Sequence, residues 1–85
     1  MLKTKISLSV INDVKDFVNI VSRQAFDVDL VSGRYAVDAK SIMGIFSLDL
    51  SRPIELNAYT DDTEKAAQFM KDIETFIIDG DKLII

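Results

Sequence analysis

Apolar and polar residues alternate in four separate stretches of this chain, and apolar residues at helical spacing fill most of the rest. The first stretch, Leu2-Lys3-Thr4-Lys5-Ile6-Ser7-Leu8-Ser9-Val10, is apolar at every even position except Thr4. Period two with polar partners describes a half-buried strand. Val14, Phe17, Val18 and Val21 then recur at helical spacing, with Asp13 placed to cap a short amphipathic helix ending near Arg23. Phe26, Val28 and Leu30 return to period two, Ser32-Gly33 makes a turn, and Tyr35, Val37 and Ala39 complete a hairpin.

Ser41 opens the next segment, Ile42-Met43-Gly44-Ile45-Phe46-Ser47-Leu48, as the N-cap of a helix of about two turns. Gly44 weakens that helix by roughly 1 kcal/mol relative to Ala. Pro53 precedes a fourth strand, Ile54 to Tyr59, where a proline fits at the first residue or an edge. Asp61 and Glu64 have capping-box spacing before the longest helix, Thr63 to Ile77, which Asp79-Gly80 can end. The order is β-α-β-β-α-β-α. Four alternating strands need one covered face, and three amphipathic helices supply the cover. The expected class is α+β, an α/β open-faced sandwich with a four-stranded antiparallel sheet and three helices on one face. A length of 85 residues fits a single domain, 1–85.

Composition narrows the chemistry. The sequence has no histidine, which removes a histidine general base, a Ser-His-Asp triad and a phosphohistidine carrier. It has no cysteine, which removes thiol catalysis, disulfides and Cys/His zinc sites. No carboxylate, lysine or tyrosine constellation argues for an enzyme, and no cofactor or metal site is expected. Ten Lys and Arg against 14 Asp and Glu give a net charge of -4, which disfavours a nucleic-acid surface. Met1 to Val10 alternates without a long apolar run, so neither a signal peptide nor a membrane span is expected there. The expected location is the cytoplasm.

Lys40-Ser41-Ile42-Met43-Gly44-Ile45-Phe46-Ser47-Leu48 resembles the regulatory-serine segment of HPr, the phosphocarrier of the bacterial sugar phosphotransferase system. The Firmicute form of that segment reads Lys-Ser-Ile-Met-Gly, then an apolar pair, then Ser-Leu. The likeness extends through the preceding hairpin, the Glu55-Leu56 strand and the final helix. It implies an HPr-like fold with the element order given above. Members of that family carry an active histidine in a loop before the first helix, followed by an arginine and a proline. Here the corresponding connection, Ile11-Asn12-Asp13-Val14-Lys15, has none of the three and is shorter. Asn12, Asp13 and Asp16 would repel a phosphate there.

The resemblance makes Ser41 a candidate for regulatory phosphorylation, since a helix N-terminus tolerates a phosphate. A plain capping serine explains the same residue. It makes Ile42, Met43 and Phe46 a candidate partner surface. The alternative is core, although Ile45 and Leu48 share a face and suit the core better. The acidic groups Asp13, Asp16, Asp61, Asp62 and Glu64 sit at expected helix starts, where carboxylates are favoured without any ligand. Arg23, Arg34 and Arg52 are isolated and read as solvated surface. The resemblance implies a protein partner: a transcription regulator, a kinase or a phosphotransferase-system component. The nearest analogy is the catabolite-repression HPr homologue, which also lacks the active histidine and keeps the serine. The expected function is therefore a regulatory binding module that cannot carry phosphohistidine. The alternative is a structural or oligomeric protein of the same fold with no phosphosignalling role. Its homodimer would form through the tail Leu83-Ile84-Ile85, which otherwise packs on its own domain.

Overall fold

A computed structural model describes residues 1–84, with side chains through Ile78. The elements in chain order are β1 (Leu2–Ile6), α1 (Ile11–Ser22), β2 (Val28–Ser32), β3 (Tyr35–Asp38), α2 (Ile42–Phe46), β4 (Ile54–Ala58) and α3 (Thr63–Asp72). A short 3-10 turn (Glu74–Phe76) and β5 (Ile77–Ile84) follow. The sheet is antiparallel throughout, in the order β3-β2-β4-β1-β5.

The α+β class and the helical cover on one sheet face are as the pattern implies, but the sheet has five strands rather than four. Phe69, Ile73, Phe76 and Ile77 continue a helical spacing, yet α3 stops at Asp72. The 3-10 turn then redirects the chain into β5. Asp79-Gly80 therefore lies inside a strand and does not end a helix. Leu83 and Ile84 pair with Lys3 and Leu2 of the same chain, as the intramolecular reading of the tail requires. Ile85, the remaining tail residue, lies outside the described residues. A bulge between Thr4 and Ile6 bends the β1–β5 ladder.

Other boundaries move for local reasons. β1 ends at Ile6 instead of Val10. Leu8 still reaches the core, because the chain turns after Ser7, whose N–H donates to the Phe76 carbonyl at 2.8 Å. The hairpin turn is Gly33-Arg34, since Ser32 pairs with Tyr35. Gly33 has a φ of 60°, which a two-residue hairpin with glycine at its first central position requires. Asp62, not Asp61, caps α3 by accepting from the Glu64 and Lys65 N–H groups at 3.0 and 3.1 Å.

One core joins the layers. Leu2, Ile6, Leu30, Ile54 and Leu56 from the sheet meet Val14, Phe17 and Val21 of α1, Ile45 of α2 and Phe69 of α3. Phe17 stands edge-on to Phe76 with ring centroids 5.8 Å apart, and Phe26 meets Phe69 in the same way at 5.4 Å. Each fully buried large side chain contributes roughly 1.5–3 kcal/mol. Among the described residues, no helix is long and apolar enough to cross a membrane.

Candidate functional site around Ser41

The chain reaches Ser41 through a tight turn. The Ala39 N–H donates to the Val28 carbonyl at 2.9 Å and closes the hairpin. Asp38 then accepts twice: its carboxylate from the Lys40 N–H at 2.8 Å, and its carbonyl from the Ser41 N–H at 3.0 Å. The Lys40 ammonium reaches back to the Gln24 carbonyl at 3.2 Å, just past the end of α1. Ser41 is thereby fixed in an extended conformation, and its hydroxyl accepts from the Gly44 N–H at 3.1 Å. This is the N-cap that the sequence implies. At the other end, the Ser47 hydroxyl donates to the Gly44 carbonyl at 2.5 Å.

The five residues of α2 divide their side chains. Ile45 is fully buried, with Leu48 just beyond the helix also in the core. Ile42 is half-buried against that core. Met43 is 76% exposed and Phe46 41% exposed. Two large apolar side chains thus face solvent beside an exposed hydroxyl. A Cβ added at Gly44 would lie 3.2 Å from the Ser41 hydroxyl oxygen and 3.3 Å from the Val37 Cβ. Glycine lets the first turn of α2 approach β3 and the Ser41 side chain together.

The β1–α1 junction is the second place of interest. Ile11 to Lys15, read from sequence as a connection, form the first turns of α1. Asp13 is therefore not the cap but the third helical residue, and Val10, whose side chain cannot accept a bond, holds the cap position. The Asp13 carboxylate turns back instead. It accepts from the Ser9 N–H at 3.2 Å, the Ser9 hydroxyl at 3.1 Å and the Val10 N–H at 3.4 Å. These bonds, the Ser9 N–H foremost, hold its carboxyl below the ordinary value. An internal carboxylate thus occupies the N-terminus of α1, where an incoming anion would otherwise be welcome. Val10 and Ile11 beside it are exposed.

The remaining carboxylates stay separate from this region. Asp62 caps α3, and Asp61 lies 3.8 Å from the N-terminal ammonium. Asp16 is exposed on α1, and Glu64 is exposed in the first turn of α3. Among the described residues, no group of three or more carboxylates converges as a metal-ligand set. Arg52 pairs with Asp49 at 3.7 Å on the surface, while Arg23 and Arg34 are exposed. The sequence reading missed the Lys40–Gln24 tie and the Asp13–Ser9 bonds. The first joins residues 16 apart and leaves no local signal. The second departs by one residue from the spacing of a capping box.

Comparison with known proteins agrees with this architecture. The family described as "PTS HPr component phosphorylation site" matches residues 13–79. The match begins in the first turn of α1, so β1 and the junction before Asp13 lie outside it. Among solved structures, the chain is similar to HPr-C-His from Thermoanaerobacter tengcongensis, with 30% identity and a TM-score of 0.70. That similarity covers 88% of this chain and 93% of the other. A search of curated proteins finds no match. The family match over most of the chain, with an HPr structure superposing on nearly all of it, shows that this protein belongs to the HPr family of the phosphotransferase system.

Proposed function

We propose that this protein is an HPr relative that has given up phosphohistidine transfer and acts as a cytoplasmic, non-enzymatic regulatory module. Its docking element is the Ser41 helix, and phosphorylation of Ser41 is its switch. The observation that carries the reading is the exposed Ser41 hydroxyl beside the exposed Met43 and Phe46 side chains, in a chain with no histidine. An apolar patch with a flexible methionine suits a protein partner. Ile42 forms the half-buried base of that patch.

Phosphorylation would replace one neutral acceptor at the start of α2 with several charged ones. The Lys40 ammonium spends one of its three donors on the Gln24 carbonyl, and a phosphate on the exposed Ser41 has oxygens enough to meet an arginine of the partner as well. The partner class is a transcription regulator, a kinase or a phosphotransferase-system component. The Asp13 carboxylate at the start of α1 supports the loss of the family's transfer reaction, because it disfavours a phosphoryl group there.

The test is intact mass after incubation with HPr kinase and ATP, with Ser41→Ala alongside and a genuine HPr as positive control. The reading expects one added phosphate that disappears in Ser41→Ala. No addition, while the control HPr is modified in the same tube, removes the switch.

A further inference from the structure

The sheet face turned away from the helices has a charge pattern of its own. Register places Asp38, Asp29, Asn57 and Lys3 in one row across β3, β2, β4 and β1. Ala36, Val31, Glu55 and Lys5 form the next row. The face is acidic over β3 and β2 and basic over β1, a span of about 14 Å at ~4.8 Å per strand. Lys3 and Lys5 make no ion pair within 4 Å among the described residues. Asn57, at the centre of the first row, is 9% exposed, and its Oδ1 accepts no hydrogen bond. The nearby Asp29 carboxylate holds the Tyr59 hydroxyl above its ordinary pKa, and the half-exposed ring adds aromatic surface beside Asp29.

The Asp29-Asn57-Lys3 row is self-complementary. A half-turn about a line running along β4 lays β2 of one copy over β1 of another. Asp29 then stands over the second copy's Lys3, and Lys3 over its Asp29. The two Asn57 amides meet on the axis, where one can donate to the acceptor that the single chain leaves unfilled, while the two Glu55 carboxylates also meet on it and weaken the contact. We propose that the open sheet face binds a second copy of this chain in this two-fold arrangement, with Asp29 and Lys3 as its reciprocal charge pair. The footprint is roughly 400 Å² per copy from strand spacing and rise. That falls below the roughly 800 Å² per partner of a standard stable complex. The association is therefore weak and reversible, and its geometry is set by charge. Because α2 lies in the other layer, both Ser41 helices stay uncovered and the dimer presents two docking elements.

The test is sedimentation velocity over a dilution series from about 1 mM to about 10 μM, with amide shifts of the wild-type protein followed in parallel. The proposal expects dimer at the upper end and shifts centred on Lys3, Asp29 and Asn57. Lys3→Glu and Asp29→Lys each place like charges opposite one another, so each alone should weaken association by about tenfold or more. Mixed together, the two variants recover opposite charges at both contacts and should form a heterodimer. A monomer throughout overturns the proposal. So does association that survives both variants, a mixture of folded variants that stays monomeric, or dilution shifts centred on Met43 and Phe46 or on β5. Circular dichroism checks the variants, and the wild-type shifts decide the matter if either variant fails to fold.

Discussion

The Lys40 ammonium donates to the Gln24 main-chain carbonyl at 3.2 Å, which ties the turn before Ser41 to the end of α1. Gln24 in turn donates its side-chain amide to the Ile20 carbonyl at 3.0 Å, so the same few atoms close the last turn of that helix. Favourable charge at a helix C-terminus and a bond to a carbonyl act in the same direction. Lys40→Met keeps the aliphatic stem and removes the donor. It should cost about 1 kcal/mol, read as a lower urea midpoint with an unchanged slope. It should also speed amide exchange in α2. A midpoint equal to wild type would mean the tie contributes nothing.

Gly44→Ala sets two effects against each other. Alanine improves a helix position over glycine by roughly 1 kcal/mol. Its Cβ would meet the Ser41 hydroxyl oxygen at 3.2 Å and the Val37 Cβ at 3.3 Å. Relieving the first contact requires the hydroxyl to leave the Gly44 N–H, which gives up the cap. The expected outcome is a small net loss of stability by thermal melting. A rise in melting temperature would show that the turn yields easily.

Asp13 should titrate below its ordinary value of 3.8, because the Ser9 N–H and hydroxyl bonds favour its ionised form. Its folded pKa lies below the unfolded one. The stabilisation is therefore complete above the unfolded value and disappears as pH falls through the folded value. Carboxyl carbon shifts followed from neutral to acid pH report the midpoint directly. Ser9→Ala should raise that midpoint part of the way back, since it removes the hydroxyl bond and leaves the main-chain ones. An unshifted midpoint in the wild type would contradict the bonding described at this junction.

Asp62→Ala removes the acceptor for two N–H groups at the start of α3. The expected cost is about 1 kcal/mol, measured by chemical denaturation. Asp61→Ala, one residue earlier, should cost less, because its ion pair with the N-terminal ammonium is long and exposed. Equal costs would assign the cap wrongly.

Truncation after Phe76 removes β5 and leaves the outer edge of β1 unpaired. Exchange protection should fall first at the β1 amides that face β5. The truncated chain should aggregate more readily, as an uncovered edge invites other strands. Unchanged protection in β1 would mean that β5 adds little to this sheet.

The helical core was legible from residue spacing alone. Val14, Phe17 and Val21 mark the buried face of α1, and Ile45 with Leu48 mark the inner side of the Ser41 segment. The Ser41 cap was legible because it is a contact over three residues. The fifth strand was not. Phe76 and Ile77 keep a helical spacing with Phe69 and Ile73, and Asp79-Gly80-Asp81 resembles a turn. Only the free edge of β1, at the other end of the chain, makes that segment a strand. The start of α1 was misplaced for a related reason. Asp13 is a good capping residue by type, but the bonds it makes run backward to Ser9. Register alone brought Asp29, Asn57 and Lys3 into one row, and no local pattern relates them.

The position of β1 has a kinetic consequence. It is hydrogen-bonded to β4 and β5, both in the second half of the chain, and not to its sequence neighbour β2. The β2–β3 hairpin closes locally, and β4 can add to it across α2. The first strand gains nothing until β4 is in place, so its docking carries the largest loop-closure cost in the molecule. Folding should therefore fall toward the slow end for so short a chain, on the order of milliseconds to seconds. Until β1 docks, β4 remains an open edge, and the sheet is most vulnerable to wrong pairing along that line.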